Sequence, residues 1–186
     1  IAQLSPFKYT ANKYATYQQA AVSSAHPLAS EVGMLVMKKG GNAVDAAIAT
    51  QWALAVVYPS AGNIGGGGFM VAQLANGQQL ALDYREMAPG KATENMYVDA
   101  NGKANTRLSQ SGHLASGVPG TPAGLFAAHK YAKLSMKQLI QPAIDLAEFG
   151  FSITEREANR LNSLQSQLEK LNTTLPVFCK KTPWKA

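Results

Sequence analysis

Between Tyr58 and Tyr84 the chain passes from an alanine-rich run through Pro59-Ser-Ala-Gly-Asn-Ile-Gly-Gly-Gly-Gly68 into two β-rich runs. These runs, Phe69 to Ala75 and Gln78 to Tyr84, are joined by Asn76-Gly77. Proline cannot continue a helix and disfavours helical backbone in the residue before it, so the preceding helix must stop at Tyr58. Asn-Gly between two such runs predicts an antiparallel hairpin closed by a type I′ turn, whose two central residues both take positive φ. Helices therefore share the chain with antiparallel strands, and the fold class is α+β. No internal repeat competes with that reading.

The helices can be placed by their ends. From Leu28 to Lys39 the apolar Val32, Leu35 and Val36 recur at helical spacing, and two lysines followed by Gly40-Gly41 supply a C-terminal charge and a left-handed cap. Asn42 caps a second helix, with Asp45 in its first turn and alanines at 43, 46, 47, 49, 53 and 55 that allow close packing on several sides. Asp99-Ala-Asn-Gly102 marks a further turn, and a helix is predicted from Ala123 to Tyr131 after Gly117-Val-Pro-Gly-Thr-Pro122. Two capping boxes follow. Ser135 with Gln138 opens a helix to Phe149, and Thr154 with Glu157 opens another whose stripe is Ile153, Ala158, Leu161, Leu164, Leu168 and Leu171. Residues 1–24 read as an irregular arm, residues 25–186 as one incomplete domain, and the tail from Thr173 as lacking regular structure.

Composition narrows the function. Of 186 residues, 46% are hydrophobic, enough for a core, and intrinsic disorder is excluded. Seventeen Lys and Arg against eleven Asp and Glu give a formal charge of +6, but the tightest grouping is Lys180, Lys181 and Lys185 without an aromatic ladder. This is a solvated basic face, and no nucleic-acid partner is expected. A lone Cys179 excludes an internal disulfide framework, and His26, His113 and His129 lie too far apart for zinc-ligand spacing, so no metal and no cofactor are expected. The longest uncharged apolar stretch, Ala46 to Met70, is broken by Pro59 and the glycines, which leaves no membrane span. Starting at Ile1 without a charged and apolar leader, the chain reads as trimmed, by signal-peptide removal or by cloning.

Four glycines, Gly65 to Gly68, invite a phosphate-loop reading. Such a loop follows a strand and opens a helix, whereas here a helix precedes and a strand follows, which favours a tight connection with backbone packed on backbone. Asp83 and Glu86 fall on different faces by strand alternation and make a weak acid–base pair. Arg85, just beyond an apolar strand, has the planar fork that grips a carboxylate, but local sequence equally allows a surface pair with Glu86. Ser109, Ser111 and Ser116 near His113 lack a nucleophile elbow and a third partner, and Cys179 reads as a bystander thiol. The chain offers no nucleophile of its own.

Several long blocks, in order, resemble one family. Ala25-His-Pro-Leu-Ala-Ser-Glu-Val-Gly33, Gly40-Gly-Asn-Ala-Val-Asp-Ala-Ala47, Pro59 to Phe69, Asp83-Tyr-Arg-Glu-Met-Ala-Pro89, His113-Leu-Ala-Ser-Gly-Val-Pro-Gly-Thr121 and Gln141-Pro-Ala-Ile-Asp-Leu-Ala147 are similar to the N-terminal half of the γ-glutamyltranspeptidase large subunit. The resemblance covers residues 20 to 155 and fades beyond them.

What it implies is part of an N-terminal-nucleophile hydrolase of αββα sandwich type, made as a precursor that cleaves itself into a large and a small subunit. In such a heterodimer the small subunit's N-terminal threonine attacks the γ-glutamyl amide of glutathione or a related donor, and passes the acyl group to water or to an amino acid. By the same resemblance, Arg85 matches the arginine that binds the donor's α-carboxylate, with Asp83 and Glu86 as supports and no catalytic residue in this chain. The glycine run becomes the floor of a turn beside the active cleft, and Gly117 to Thr121 a shaped loop. The implied partners are the small subunit and the rest of the large subunit, and the implied location is periplasmic or secreted. A cephalosporin acylase relative acting on a glutaryl group, and a non-catalytic fragment, are the alternatives. Family large subunits run well past residue 186, so the chain is expected to be a piece of a larger assembly, stable only in company.

Overall fold

The computed structural model describes residues 4–11, 14, 16–62, 64–171, 174 and 177–186. Parts of the predicted arm (1–3, 12, 13 and 15), Asn63 of the glycine-rich block, and 173, 175 and 176 of the tail lie outside the described residues.

Helix α1, Pro27–Lys38, begins where the Nδ1 atom of His26 accepts the Leu28 N–H at 3.2 Å, with Pro27 occupying a first-turn position that needs no donor. It ends in a Schellman motif: Gly41 N–H donates to Val36 O and Gly40 N–H to Met37 O, with Gly40 at φ 94°. Helix α2, Ala43–Val57, is capped by Asn42 as expected, and Asp45 makes the cap a full capping box: Asn42 Oδ1 accepts from Val44 and Asp45 while Asp45 Oδ2 accepts from Asn42 N–H. Tyr58, forced out of helical geometry by Pro59, closes it.

These two helices pack on each other and α2 packs on α5, Met136–Phe149, burying Leu28, Val32, Ile48, Ala53, Leu125, Leu139 and Leu146 in one cluster. Each such leucine or isoleucine contributes about 1.5–3 kcal/mol on full burial. Asp45 is buried among them. Besides its own cap it accepts from Lys133 N–H at 3.0 Å and Leu134 N–H at 2.9 Å, while Asn42 Nδ2 donates to Tyr131 O at 2.8 Å. The start of α2 is thereby tied to the segment that enters α5, 88 residues away in sequence.

Strands β1, Phe69–Gln73, and β2, Gln79–Asp83, pair antiparallel from Phe69↔Asp83 to Gln73↔Gln79, the only sheet among the described residues. The turn differs from the type I′ expectation. Gly77 takes φ 85° but no non-glycine residue described has positive φ, and Gly77 N–H donates to Leu74 O while Leu74 N–H donates to Gln78 O. This is a three-residue loop with a left-handed glycine, so Asn76 is spared the strained conformation a two-residue turn would demand.

A short helix α3, Thr106–Gln110, follows the Asp99–Gly102 turn and buries nothing. Helix α4, Thr121–Ala128, starts two residues before the expected position because Pro122 fits its first turn, and gives way to a 3₁₀ turn over His129–Tyr131. The Ser135–Gln138 and Thr154–Glu157 boxes open α5 and α6, Glu155–Leu171, as expected. Only Ala158 of the predicted α6 stripe is buried, and Leu171 is exposed. The described part of the arm has no regular element, but it docks through Ser152 N–H to Pro6 O and Tyr9 Oη to Ser152 O at 2.8 Å. The tail's described residues are likewise irregular. Asn162 nevertheless exchanges two hydrogen bonds with the Trp184 backbone, and Lys180 lies 3.7 Å over the Trp184 ring.

Candidate functional site

Beyond β2 the chain runs on as Tyr84-Arg-Glu-Met87 and is gripped on both sides. On one side Tyr84 N–H donates to Gly68 O at 3.0 Å, and on the other Met87 and Val118 exchange backbone bonds of 3.1 and 2.8 Å. The two gripping segments also hold each other, because Gly120 N–H donates to Gly66 O at 2.7 Å and Thr121 Oγ1 to Gly65 O at 2.8 Å.

Glycine is what makes the grip possible. A Cβ on Gly67 would overlap Tyr84 O and Glu86 N, and one on Gly120 would overlap Tyr84 O. The run Gly65–Gly68 is therefore the tight backbone connection that the order of elements indicated, with its partner surface being the strand end that carries Arg85.

Arg85 itself faces outward, with 66% of its side chain exposed. Its backbone N–H is fixed by Asp83 Oδ1 at 3.0 Å in an Asx turn, and its Nε lies 3.4 Å from Glu86 Oε1. That contact is long, single and open to water, so it leaves the guanidinium's paired N–H edge available. Asp83 and Glu86 do not form an acid–base pair: the first holds backbone and the second flanks the arginine. A cavity of about 180 Å³ lies beside the gripping segments, bordered by Gln51, Leu54, Tyr58, Gly62, Gly67 and Thr121.

Other sequence candidates lead away from chemistry. Ser109 Oγ donates to Thr106 O, His113 opens a 3₁₀ turn, and Cys179 Sγ is buried 3.8 Å from Gln165 O. Among the described residues no three of His, Cys, Asp and Glu converge as metal ligands, and no helix is long and apolar enough to cross a membrane. Sequence reading missed His26, whose ring caps α1 and lies 5.1 Å from the Tyr9 ring with Nε2 3.9 Å from Glu157 Oε1. Burial pushes the His26 pKa down, and Glu157 opposes this more weakly. Tyr84 and Gln51 were also missed, although a glycine inside α4, Gly124, signals a close approach.

The family model described as Gamma-glutamyltranspeptidase matches residues 29–186. The chain belongs to the γ-glutamyltranspeptidase family. Among relatives in that family, the "Glutathione hydrolase proenzyme" of Pseudomonas sp. (strain A14) is 51% identical over 150 residues, covering 80% of this chain and 26% of the relative. The crystal structure of Helicobacter pylori gamma-glutamyltranspeptidase superposes with a TM-score of 0.85 at 50% identity, over 90% of this chain and 48% of that one. Cephalosporin acylase from Bacillus halodurans is a more distant relative, at 25% identity and a TM-score of 0.70 over 90% of this chain and 32% of that one.

The chain thus spans about a quarter of the length of its curated γ-glutamyltranspeptidase relatives. Its fold is part of an N-terminal-nucleophile hydrolase, built of helices and, among the described residues, one two-stranded sheet. The family match also extends through the last helix and tail, past residue 155 where the visible resemblance faded.

Proposed function

We propose that this chain is the donor-binding portion of a γ-glutamyl transferase and glutathione hydrolase, in which Arg85 holds the α-carboxylate of the γ-glutamyl donor. The observation that carries this reading is the presentation of Arg85: an outward fork on a backbone clamped from two sides, in the Asp83–Pro89 block shared with the family. A planar guanidinium accepts a carboxylate in two parallel hydrogen bonds, and holding that end of the donor fixes where its γ-amide lies. Asp83 supports the site through the Arg85 backbone, and Glu86 flanks the guanidinium through one exposed contact.

The nucleophile belongs to another part of the protein, an N-terminal threonine of a small subunit freed by self-cleavage. Its hydroxyl attacks the γ-carbonyl with its own amino group taking the proton, the amide C–N bond breaks as that proton passes to the leaving amine, and the γ-glutamyl group then moves from the threonine ester to water or to an amino acid, which restores the hydroxyl. The proenzyme name of the Pseudomonas relative supports such processing. Residues 25–186 then form one incomplete domain with residues 1–24 as an arm, completed by the rest of the large subunit, in the periplasm or outside the cell. The glutaryl acylase reading ranks second, since that relative is only 25% identical.

The test is kinetic, on the complete processed protein with a chromogenic γ-glutamyl anilide. Arg85→Ala lowers kcat/KM by about a hundredfold or more, mainly through KM, because two charge-assisted hydrogen bonds are lost. Arg85→Lys keeps the charge without the fork and recovers only part of it. An unchanged KM in Arg85→Ala overturns the assignment. A denaturing mass spectrum lacking a companion chain with N-terminal threonine overturns the two-subunit account.

A further inference from the structure

Among the described residues the exposed guanidinium of Arg85 has one weak side-chain partner, Glu86, so where it reaches is set by the backbone that carries it. That backbone is anchored by the residue before it. The Tyr84 ring lies in a slot between two glycines from different elements: a Cβ on Gly68 would sit 2.8 Å from Cε2, and one on Gly124 of α4 would fall onto Cγ and Cδ2. At the end of the slot Tyr84 Oη donates to Gln51 Oε1 of α2 at 3.2 Å, with Phe69 O at 3.5 Å as a second acceptor. One side chain therefore touches α2, the hairpin and α4 together, immediately beside the arginine. The half-buried ring, whose hydroxyl is pushed up in pKa by burial, stays a neutral donor at ordinary pH.

We infer that Tyr84 is a positioning residue for donor binding: seated between Gly68 and Gly124 and tied to Gln51, it registers the Arg85 backbone against the helical body and so aims the fork at the donor's α-carboxylate. This rests on the reading of Arg85 as the carboxylate binder. A flexible arginine on a loose strand end would meet the carboxylate over a range of positions, and a displacement of about 1 Å is enough to lose much of a site's effect. Tyr84 confines that range without touching substrate.

The experiment compares two donors on the complete processed enzyme, a γ-glutamyl anilide and the same anilide lacking the α-carboxyl group, a 4-aminobutyryl anilide. Tyr84→Leu, which empties the slot, raises KM for the γ-glutamyl donor about tenfold with kcat within about twofold, and leaves KM for the other donor unchanged. Tyr84→Phe, which keeps the ring and loses the Gln51 bond, gives a shift of about two- to threefold in the same direction. If Tyr84→Leu does not fold or mature, Tyr84→Phe and Gln51→Met decide by the same signature. Loss of kcat, or equal loss with both donors, shows packing alone and overturns the inference. If Arg85→Ala abolishes the preference for the carboxylate donor while the Tyr84 and Gln51 variants keep it, only this inference fails. If Arg85→Ala itself keeps the preference, the parent reading fails and this one with it.

Discussion

The carboxylate of Asp45 is fully buried and takes N–H donors from Asn42, Lys133 and Leu134, whereas along the hairpin edge Val71 is 85% and Met87 72% exposed, with Phe69 and Val118 beside them. In the first region the buried carboxylate finds its donors within these residues. The second leaves apolar side chains facing outward, next to a β1–β2 ladder that has no further strand on either side among the described residues. Arg85 lies where the two regions meet: its backbone is locked to the body through Gly68, Gly120 and Asp83, while its side chain points to the uncovered side. The body supplies rigidity and the edge supplies reach, and an assembled protein would close over the edge.

Asp45 is where the body is most easily broken. Asp45→Ala strips the acceptor from three N–H groups in two segments, and should cost about 3 kcal/mol or more of unfolding free energy, read by denaturant titration. A cost near that of a surface change would show that the body is not held there.

A smaller effect concerns His26, also in the body. Its folded pKa lies below the ordinary value of about 6.5, so the unfolded chain binds the proton more readily. The stability held by neutral His26 is complete above pH ~6.5 and is lost as pH falls through that value towards the folded pKa. Because Nδ1 accepts from Leu28 N–H, neutral His26 carries its proton on Nε2; a second proton goes to Nδ1, breaks that bond and sets a cation beside Glu157, whose attraction offsets part of the burial cost. Thermal midpoints should fall between pH 7.5 and 5, and His26→Asn, which caps without titrating, should remove that part of the slope. An unchanged slope would show that other groups set it.

The smallest effect belongs to the edge. Val71→Thr, on the open face of the hairpin, should change unfolding of this chain by no more than about 0.5 kcal/mol while lowering its tendency to self-associate in light scattering. A loss comparable to that of Asp45→Ala would mean that the edge is as self-contained as the body.

Local signals were legible in the sequence and distant ones were not. The Asn42–Asp45, Ser135–Gln138 and Thr154–Glu157 boxes join residues three apart, so the residue types alone announce them. Pro59 ends α2 for an equally local reason. The same Asp45 also binds residues 88 and 89 positions away, which no spacing rule reaches. The hairpin was readable but its turn was not, since Asn-Gly serves both a two-residue turn and a three-residue loop with a left-handed glycine. For Arg85 the local pattern fitted a surface pair as well as a binding fork, and only the ordered family blocks favoured the second. The Tyr84 slot was hidden because its two glycines stand 56 residues apart, at Gly68 and Gly124, with Gln51 on a third element.

Whether Arg85, with its backbone locked to the body, binds an α-carboxylate is decided by competitive inhibition of the complete enzyme with glutamate and with 4-aminobutyrate, which lacks that carboxylate. The account predicts that the wild type prefers glutamate by about tenfold or more, and that Arg85→Ala binds the two alike. A preference that survives Arg85→Ala undiminished would contradict it.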